Sequence, residues 1–256
     1  MRRFLARMLR DTPARQLYGR MKAAFGARGQ SDEVAVLSEL ARLVEPPMTF
    51  VEFGFHPNQF NCAGLKSNYT GLLIDGDLST VQLARSILPN RIEVAQRFLT
   101  LENLDLITTR STAGDLGILS IDVDGNDYWF LERLIELQPA IVVVEYNASL
   151  LHHPIVVPYD PAFDRHKKHP SGWYHGASLT ALHRLCAKSG YQLVRVASGG
   201  GNAFFVKRTQ AITDLPILDP IHAYRECTLR NKWSRRPAAE QWQEIKHMPF
   251  VRLDEH

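Results

Sequence analysis

Apolar runs that end in carboxylates constrain the fold of this chain more than any other feature. Glu52 follows the run TFV, Asp75 and Asp77 close GLLIDGD, Asp122 and Asp124 sit in LSIDVDGNDYW, and Glu145 ends IVVVE. A buried run of Val, Ile and Leu that stops at an acid, repeated along the chain, describes a parallel sheet with carboxylates at its carboxyl edge. Open α/β sheets bind ligands at that edge. The series therefore points to a ligand rich in hydroxyls, to a cation, or to both.

The spacing around these runs supplies the topology. Strand-like runs are expected at 49–53, 71–75, 91–95, 117–122 and 140–145, with helix-compatible stretches at about 58–66, 78–87, 101–109 and 127–137. Strand and helix in alternation is the pattern of parallel βαβ units with helices on both faces. Ahead of them, Ser31 reads as an N-cap, and Val34, Leu37, Leu40, Leu43 and Val44 form one helical face that Pro46 and Pro47 stop. Residues 147–175 are irregular and rich in Pro and His, which predicts a functional loop or lid. Residues 178–188 return to helix with Gly190 as C-cap, and YQLVRVA and AFFVKR flank SGGGN as a β-hairpin. Five parallel strands followed by a helix and a terminal hairpin resemble the Rossmann-like, seven-stranded class I methyltransferase sheet: mostly parallel, with an antiparallel strand from the C-terminal hairpin. The expected organisation is a basic arm at 1–30, an α/β domain at 31–210 and a C-terminal extension at 211–256 that wraps the core.

Composition narrows the class. With 45% apolar and 22% charged residues, the chain reads as a soluble globular protein. No apolar run approaches the roughly 20 residues of a spanning helix, and the basic start MRRFLARMLRD lacks the apolar region and cleavage site of a secretory signal. Cys62, Cys186 and Cys227 are scattered, against a disulfide framework or a structural zinc site and in keeping with a reducing cytoplasm. The net charge of +3 divides into +7 on residues 1–30 and −4 on the rest. A mildly acidic body is not a nucleic-acid binder. The arm carries Phe4, Leu5, Met8 and Leu9 at helical spacing among arginines. Residues 1–28 thus fit peripheral contact with an anionic membrane surface at its inner face, and equally a flexible or homo-oligomer-packing helix.

Three motifs carry the chemistry. In Glu52-Phe53-Gly54, the glycine allows a tight turn and close approach of a ligand to the backbone. A dinucleotide site would need G-x-G-x-x-G. Only Gly54 is present and Pro57 removes a donor, so a diphosphate cofactor such as NAD is disfavoured. Asp75, about 21 residues after Gly54, is placed to accept from both hydroxyls of an adenosine ribose, and Gly76 keeps the adjacent backbone open. Asp122, Asp124 and Asp127 lie within six residues and would repel one another unless cations, hydrogen bonds or solvent offset them. A hard divalent cation held by Asp122, Asp124 and Glu145 would do so, although the string lacks the order of an EF-hand. Asp77 and Asp127 read as turn and cap residues.

VEFGF, GLLIDGD, SIDVDGNDYW, VVVEYN and YHGASLTAL together resemble the FkbM-type group of S-adenosylmethionine-dependent methyltransferases, over about residues 48–208. The resemblance implies S-adenosylmethionine as methyl donor and O-methylation of sugars or glycan-linked metabolites. It places Glu52 and Gly54 at the methionine end of the donor, Asp75 on the ribose, and Asp122 between donor and acceptor. Asn61, Gly76 and Phe98 complete the expected donor set. It also implies Mg²⁺ held by strand-end acids. GFHPNQFN departs from the usual glycine-rich first loop of the group.

Methyl transfer to a hydroxyl needs alignment and removal of a proton. Neutral histidines suit that role, and His175, His153 and His152 are the candidates beside Asp122. Trp173, Tyr174 and Tyr128 are candidates for stacking on a sugar or on adenine. The expected partner is a small-molecule or glycan acceptor. A non-catalytic nucleoside- or glycan-binding module on the same fold is the alternative, and an NAD-dependent enzyme a weaker one.

Overall fold

The computed structural model describes residues 32–111, 113–208 and 215–253. The basic arm and the Ser31 cap lie outside the described residues; within them, Asp32 holds the N-cap position of helix α1 (Glu33–Val44). The apolar runs become strands β1 (Thr49–Phe53), β2 (Thr70–Asp75), β3 (Ile92–Gln96), β4 (Ile118–Ile121) and β5 (Ile141–Glu145). The helices between them include α2 (Leu78–Ile87), the short α3 (Asp105–Thr108) and α4 (Asp127–Leu134). After β5 come β6 (Ile155–Val156), α5 (Arg165–Lys168), α6 (Leu179–Lys188) and the hairpin of β7 (Tyr191–Val196) and β8 (Asn202–Lys207).

The seven-stranded sheet has the order β3-β2-β1-β4-β5-β8-β7. Strands β1 to β5 pair in parallel, and β8 runs antiparallel between β5 and β7. This is the expected seven-stranded sheet, mostly parallel with an antiparallel strand from the C-terminal hairpin. Its order reverses between β1 and β4, which opens a crevice above their carboxyl ends. Side chains alternate across the sheet. Val51, Phe53, Ile74, Ile121 and Val144 pack under α4 and α6; Phe50, Leu73, Ile118 and Val143 pack against α1 and α2.

Two expected helices are shorter than their patterns. Residues 58–66 form only a 3-10 turn at Asn61–Leu65, because the preceding His56-Pro57-Asn58-Gln59 folds into a tight turn closed by a hydrogen bond from the Gln59 amide to the His56 carbonyl. Residues 101–109 break into a 3-10 turn and α3. The C-terminal region holds more structure than its weak period predicts: α7 (Pro220–Ala223), α8 (Thr228–Ser234), α9 (Ala238–Ile245) and β9 (Val251–Arg252). Strand β9 pairs with β6, and Ile245 joins Leu150, Ile155, Val157, Trp173 and Tyr174 in a satellite core. That core, with the bonds from Trp129 Nε1 to the Val157 carbonyl and from Asn126 Nδ2 to the Asp160 carbonyl, makes residues 147–175 a packed wall of the crevice. All three cysteines are free. Among the described residues, no helix is long and apolar enough to cross a membrane.

Candidate functional site

A cleft of about 910 Å³ opens at the carboxyl edge of β1, β2, β4 and β5. One half is lined by Gly54, Asp75, Gly76 and Phe98; the other by Glu145, Phe163, Arg165, Trp173, Leu229, Arg230 and Trp233; Asp122 lines it as well. Small-molecule pockets span roughly 300–1,000 Å³, so this cleft lies at the upper end of that range.

The expected donor residues divide. Gly54 takes φ +76°, and a Cβ there would sit 1.5 Å from the Asp122 carbonyl oxygen, so only glycine fits the crossing of β1 and β4. Asp75 ends β2 at the cleft wall, with Oδ1 accepting from the Asp77 amide at 2.7 Å; burial raises its pKa. Phe98 is 60% exposed and stands over Gly76. Asp77 is an N-cap, accepting from Thr80 N–H at the start of α2.

Glu52 and Asn61 do not line the cleft, contrary to expectation. Alternation along β1 turns Glu52 to the Phe50 side of the sheet, beneath the first loop. There its carboxylate accepts from the amides of Asn61 at 2.7 Å and Cys62 at 2.9 Å. Burial pushes its pKa up, and these two bonds oppose the shift. Asn61 in turn donates from Nδ2 to Ser120 Oγ at 3.0 Å. The Ala63 amide bonds to the Phe60 carbonyl. The first three amides of the 3-10 turn are thereby engaged, which leaves no open N-terminal cradle for a diphosphate.

The acidic edge is charge-dense. Burial is the main cause that raises the Asp122 pKa well above the carboxylate range, and the carboxylates of Glu145, Asp124, Asp127 and Glu52 add to it. Burial likewise lifts Glu145 to about 8, helped by Asp124 and Asp127 and opposed by Arg230 and Arg165. Asp127 is not the expected cap: it is the first residue of α4, Asn126 holds the N-cap position, and the buried Asp127 carboxylate accepts from the loop amides of Val123 at 2.8 Å and Gly125 at 2.9 Å. Burial still holds its pKa at about 6.

Two arginines, absent from the sequence reading, meet these acids. Arg165 of α5 pairs with Asp124. Arg230 of α8 lies 3.8 Å from Glu145 Oε1, and donates to Asn147 Oδ1 at 2.7 Å and to His175 Nε2 at 3.0 Å. A buried arginine has the same sequence signature as a surface one, and α8 is too short to announce itself by period.

The histidine expectations need correction. His175 is fully buried and does not line the cleft; its Nε2 is taken by Arg230 and its Nδ1 lies 3.9 Å from Glu145 Oε2. Burial first, then Arg165 and Arg230, lower its pKa well below the usual value. His153 lies against Trp242 with ring centroids 4.5 Å apart, and His152 against Tyr224 at 4.8 Å; neither lines the cleft. Trp173 lines the cleft, whereas Tyr174 packs on Phe250 and Tyr128 on Trp129.

The expected metal set of Asp122, Asp124 and Glu145 is not the one brought together. Asp124, Glu145 and His175 are the group whose candidate ligand atoms all lie within 4.8 Å. Their chemistry does not fit a cation as arranged. Asp124 and Glu145 each have a guanidinium neighbour. Arginine only donates, so the Arg230 bond requires a lone pair on His175 Nε2. In the neutral ring Nδ1 then carries the proton and offers no lone pair to a metal.

No family model and no curated protein matches the chain. Several solved structures are similar to it. A candidate O-methyltransferase from Klebsiella pneumoniae is 16% identical over 77% of this chain and 91% of its own, with a TM-score of 0.48. A TehB-like SAM-dependent methyltransferase from Corynebacterium glutamicum is 14% identical over 77% and 100%, at a TM-score of 0.44. The N-terminal domain of EvdMO1 with SAH bound is 11% identical over 77% and 97%, at 0.48.

Proposed function

We propose that this protein is an S-adenosylmethionine-dependent O-methyltransferase whose acceptor is a hydroxyl of a sugar, glycan precursor or related metabolite. The observation that carries the reading is a cleft with two chemically different halves flanking Asp122. One half has an open glycine turn, a carboxylate at the end of β2 and an exposed aromatic ring. These suit a nucleoside without a diphosphate: Asp75 accepts from ribose hydroxyls, Phe98 covers the base, and Gly54 admits the chain to the backbone. The other half sets Trp233, Trp173 and Leu229 beside Ser171, Ser234 and Asn126, a mixture of apolar faces and hydrogen-bonding groups suited to a hydroxylated ring.

When bound, the donor supplies an electrophilic sulfonium methyl. Burial and its acidic neighbours favour the protonated form of Asp122, and a positive charge bound beside it would draw it toward the carboxylate. Glu145 borders the acceptor half, and a carboxyl group with its pKa at about 8 is matched to proton removal near neutral pH. Transfer of that methyl to a hydroxyl would release the hydroxyl proton, which Glu145 is placed to take. Arg165 and Arg230 balance the acids in the place the sequence assigned to Mg²⁺.

The test is transfer of isotopically labelled methyl from S-adenosylmethionine to a panel of free sugars, glycosides and nucleotide sugars, read by mass spectrometry. The reading predicts a labelled, base-stable methyl ether on at least one sugar. Donor binding without label on any of them would favour the non-catalytic binding module.

A further inference from the structure

His175 is a fully buried titratable group that the mechanism above does not use directly. It precedes α6, is 0% exposed, and its Nδ1 has no hydrogen-bond partner. A buried, unpaired N–H costs about 1–3 kcal/mol, so its placement calls for a reason. Three elements converge on it. Arg230 enters from α8, 11% exposed, and bonds Nε2. Asn147, just past β5, donates to the carbonyls of both Trp173 and His175, fixing the backbone that carries the ring. Glu145, at the end of β5, places Oε2 3.9 Å from Nδ1.

We propose that Arg230 locks His175 as its Nδ1–H tautomer, and that this N–H orients the Glu145 carboxylate toward the acceptor half of the cleft. His175 and Arg230 are then positioning residues that act through Glu145. The role given to Glu145 rests on the methyltransferase reading; the tautomer does not.

The logic is a matter of donors and acceptors. Each guanidinium N–H can only donate, and a protonated Nε2 would set two donors head to head at 3.0 Å. The ring is therefore neutral with its single proton on Nδ1. The acids near that proton are Glu145 and Asp124. Asp124 is engaged by Arg165, which leaves Glu145 as the carboxylate to receive it. Rotation of that carboxylate closes the gap. Arg230 also sits 3.8 Å from Oε1, so the two oxygens of Glu145 are addressed by two different groups. The side chain that does this comes from the C-terminal segment, which makes α8 part of the site rather than a covering over it.

Long-range ¹H–¹⁵N correlation spectra of the full-length protein labelled at histidine read the tautomer directly, with His175→Gln identifying the resonance. Wild type is expected to show a neutral Nδ1–H ring that does not titrate between about pH 6 and about 8. Arg230→Lys, which keeps an N–H donor, is expected to retain that pattern. Arg230→Met is expected to lose it, giving a mixture of tautomers. Glu145→Ala is expected to shift the Nδ1–H proton resonance while the tautomer stays. An Nε2–H or doubly protonated ring in wild type would overturn the proposal. So would an Nδ1–H resonance indifferent to Glu145→Ala. Should Arg230→Met not fold, the wild-type, Arg230→Lys and Glu145→Ala spectra still decide. These readouts need no donor or acceptor, so a failure of the methyltransferase reading leaves them interpretable.

Discussion

Replacing Gly54 by alanine tests how the donor half of the cleft is built. Residue 54 sits at φ +76°, where an alanine pays about 1–2 kcal/mol for the left-handed conformation. The added Cβ would also lie 1.5 Å from the Asp122 carbonyl oxygen and 2.4 Å from its carbon. Both are backbone atoms at the end of β4, held by the bond from the Asp122 amide to the Phe53 carbonyl at 3.1 Å. Relief therefore requires β1 and β4 to separate at the site, an overpacking cost of roughly 2–3 kcal/mol. The total of about 3–5 kcal/mol is a large part of a typical stability of about 5–15 kcal/mol. For a chain of this size it corresponds to a fall of roughly 6–20 °C in Tm. Gly190→Ala is the matched control: φ there is +85°, but nothing lies within 4 Å of a built Cβ. It should lose only the conformational part, about 1–2 kcal/mol, or roughly 2–8 °C. Differential scanning calorimetry of both variants, with S-adenosylhomocysteine titration of each, separates the two costs. Equal Tm losses, or undiminished nucleoside binding by Gly54→Ala, would refute the steric argument.

Further expectations follow from named contacts. Glu52→Ala strands the Asn61 and Cys62 amides and should cost about 2–5 kcal/mol in urea denaturation; a loss below about 1 kcal/mol would show that the carboxylate does not brace the loop. Burial holds the Glu145 pKa at about 8 in the fold, above its ordinary value of 4.5. A raised carboxyl pKa means the folded state holds the extra proton, so that stability is full below about 4.5 and lost as pH rises toward about 8. The Tm of the ligand-free protein should therefore fall between about pH 6.5 and about 8.5, and Glu145→Gln should flatten that slope; an unchanged slope would contradict the assignment. Trp233 is 76% exposed, so Trp233→Ala should leave Tm within about 2 °C of wild type. It should weaken acceptor binding by about 1 kcal/mol, roughly fivefold in KM, and an unchanged KM for a methylated sugar would remove the residue from the acceptor site.

The strands were legible because apolar runs buried on both sides of a sheet leave an unbroken signature, and the carboxylates that end them mark the crevice. The places of Asp75 and Asp122 at the cleft could be read from that, and the place of Gly54 from the glycine turn after β1. Glu52 shows the limit of the argument: it ends the same kind of run, yet period-two alternation sets it on the face opposite Val51 and Phe53. The motif is real, but its side of the sheet decides that it braces a loop instead of lining the cleft. The first loop has a helical pattern yet forms only a 3-10 turn, because composition does not reveal that His56–Gln59 closes into a tight turn ahead of it. Arg165 and Arg230 escaped notice for a different reason. Their neighbours Asp124 and Glu145 stand 41 and 85 positions away in the sequence, and short helices in a region without period give no clue to that meeting. Without the arginines, the unbalanced acids read as a metal site; with them, the charge is met within the chain.

The central claim, that the β1–β2 half of the cleft receives a sulfur nucleoside, is tested most directly by isothermal titration of the wild-type protein with S-adenosylhomocysteine, with NAD as comparison. The account predicts saturable binding of S-adenosylhomocysteine that Asp75→Ala weakens at least tenfold, about 1.4 kcal/mol, and no binding of NAD. Absence of S-adenosylhomocysteine binding, or binding untouched by Asp75→Ala, would contradict it.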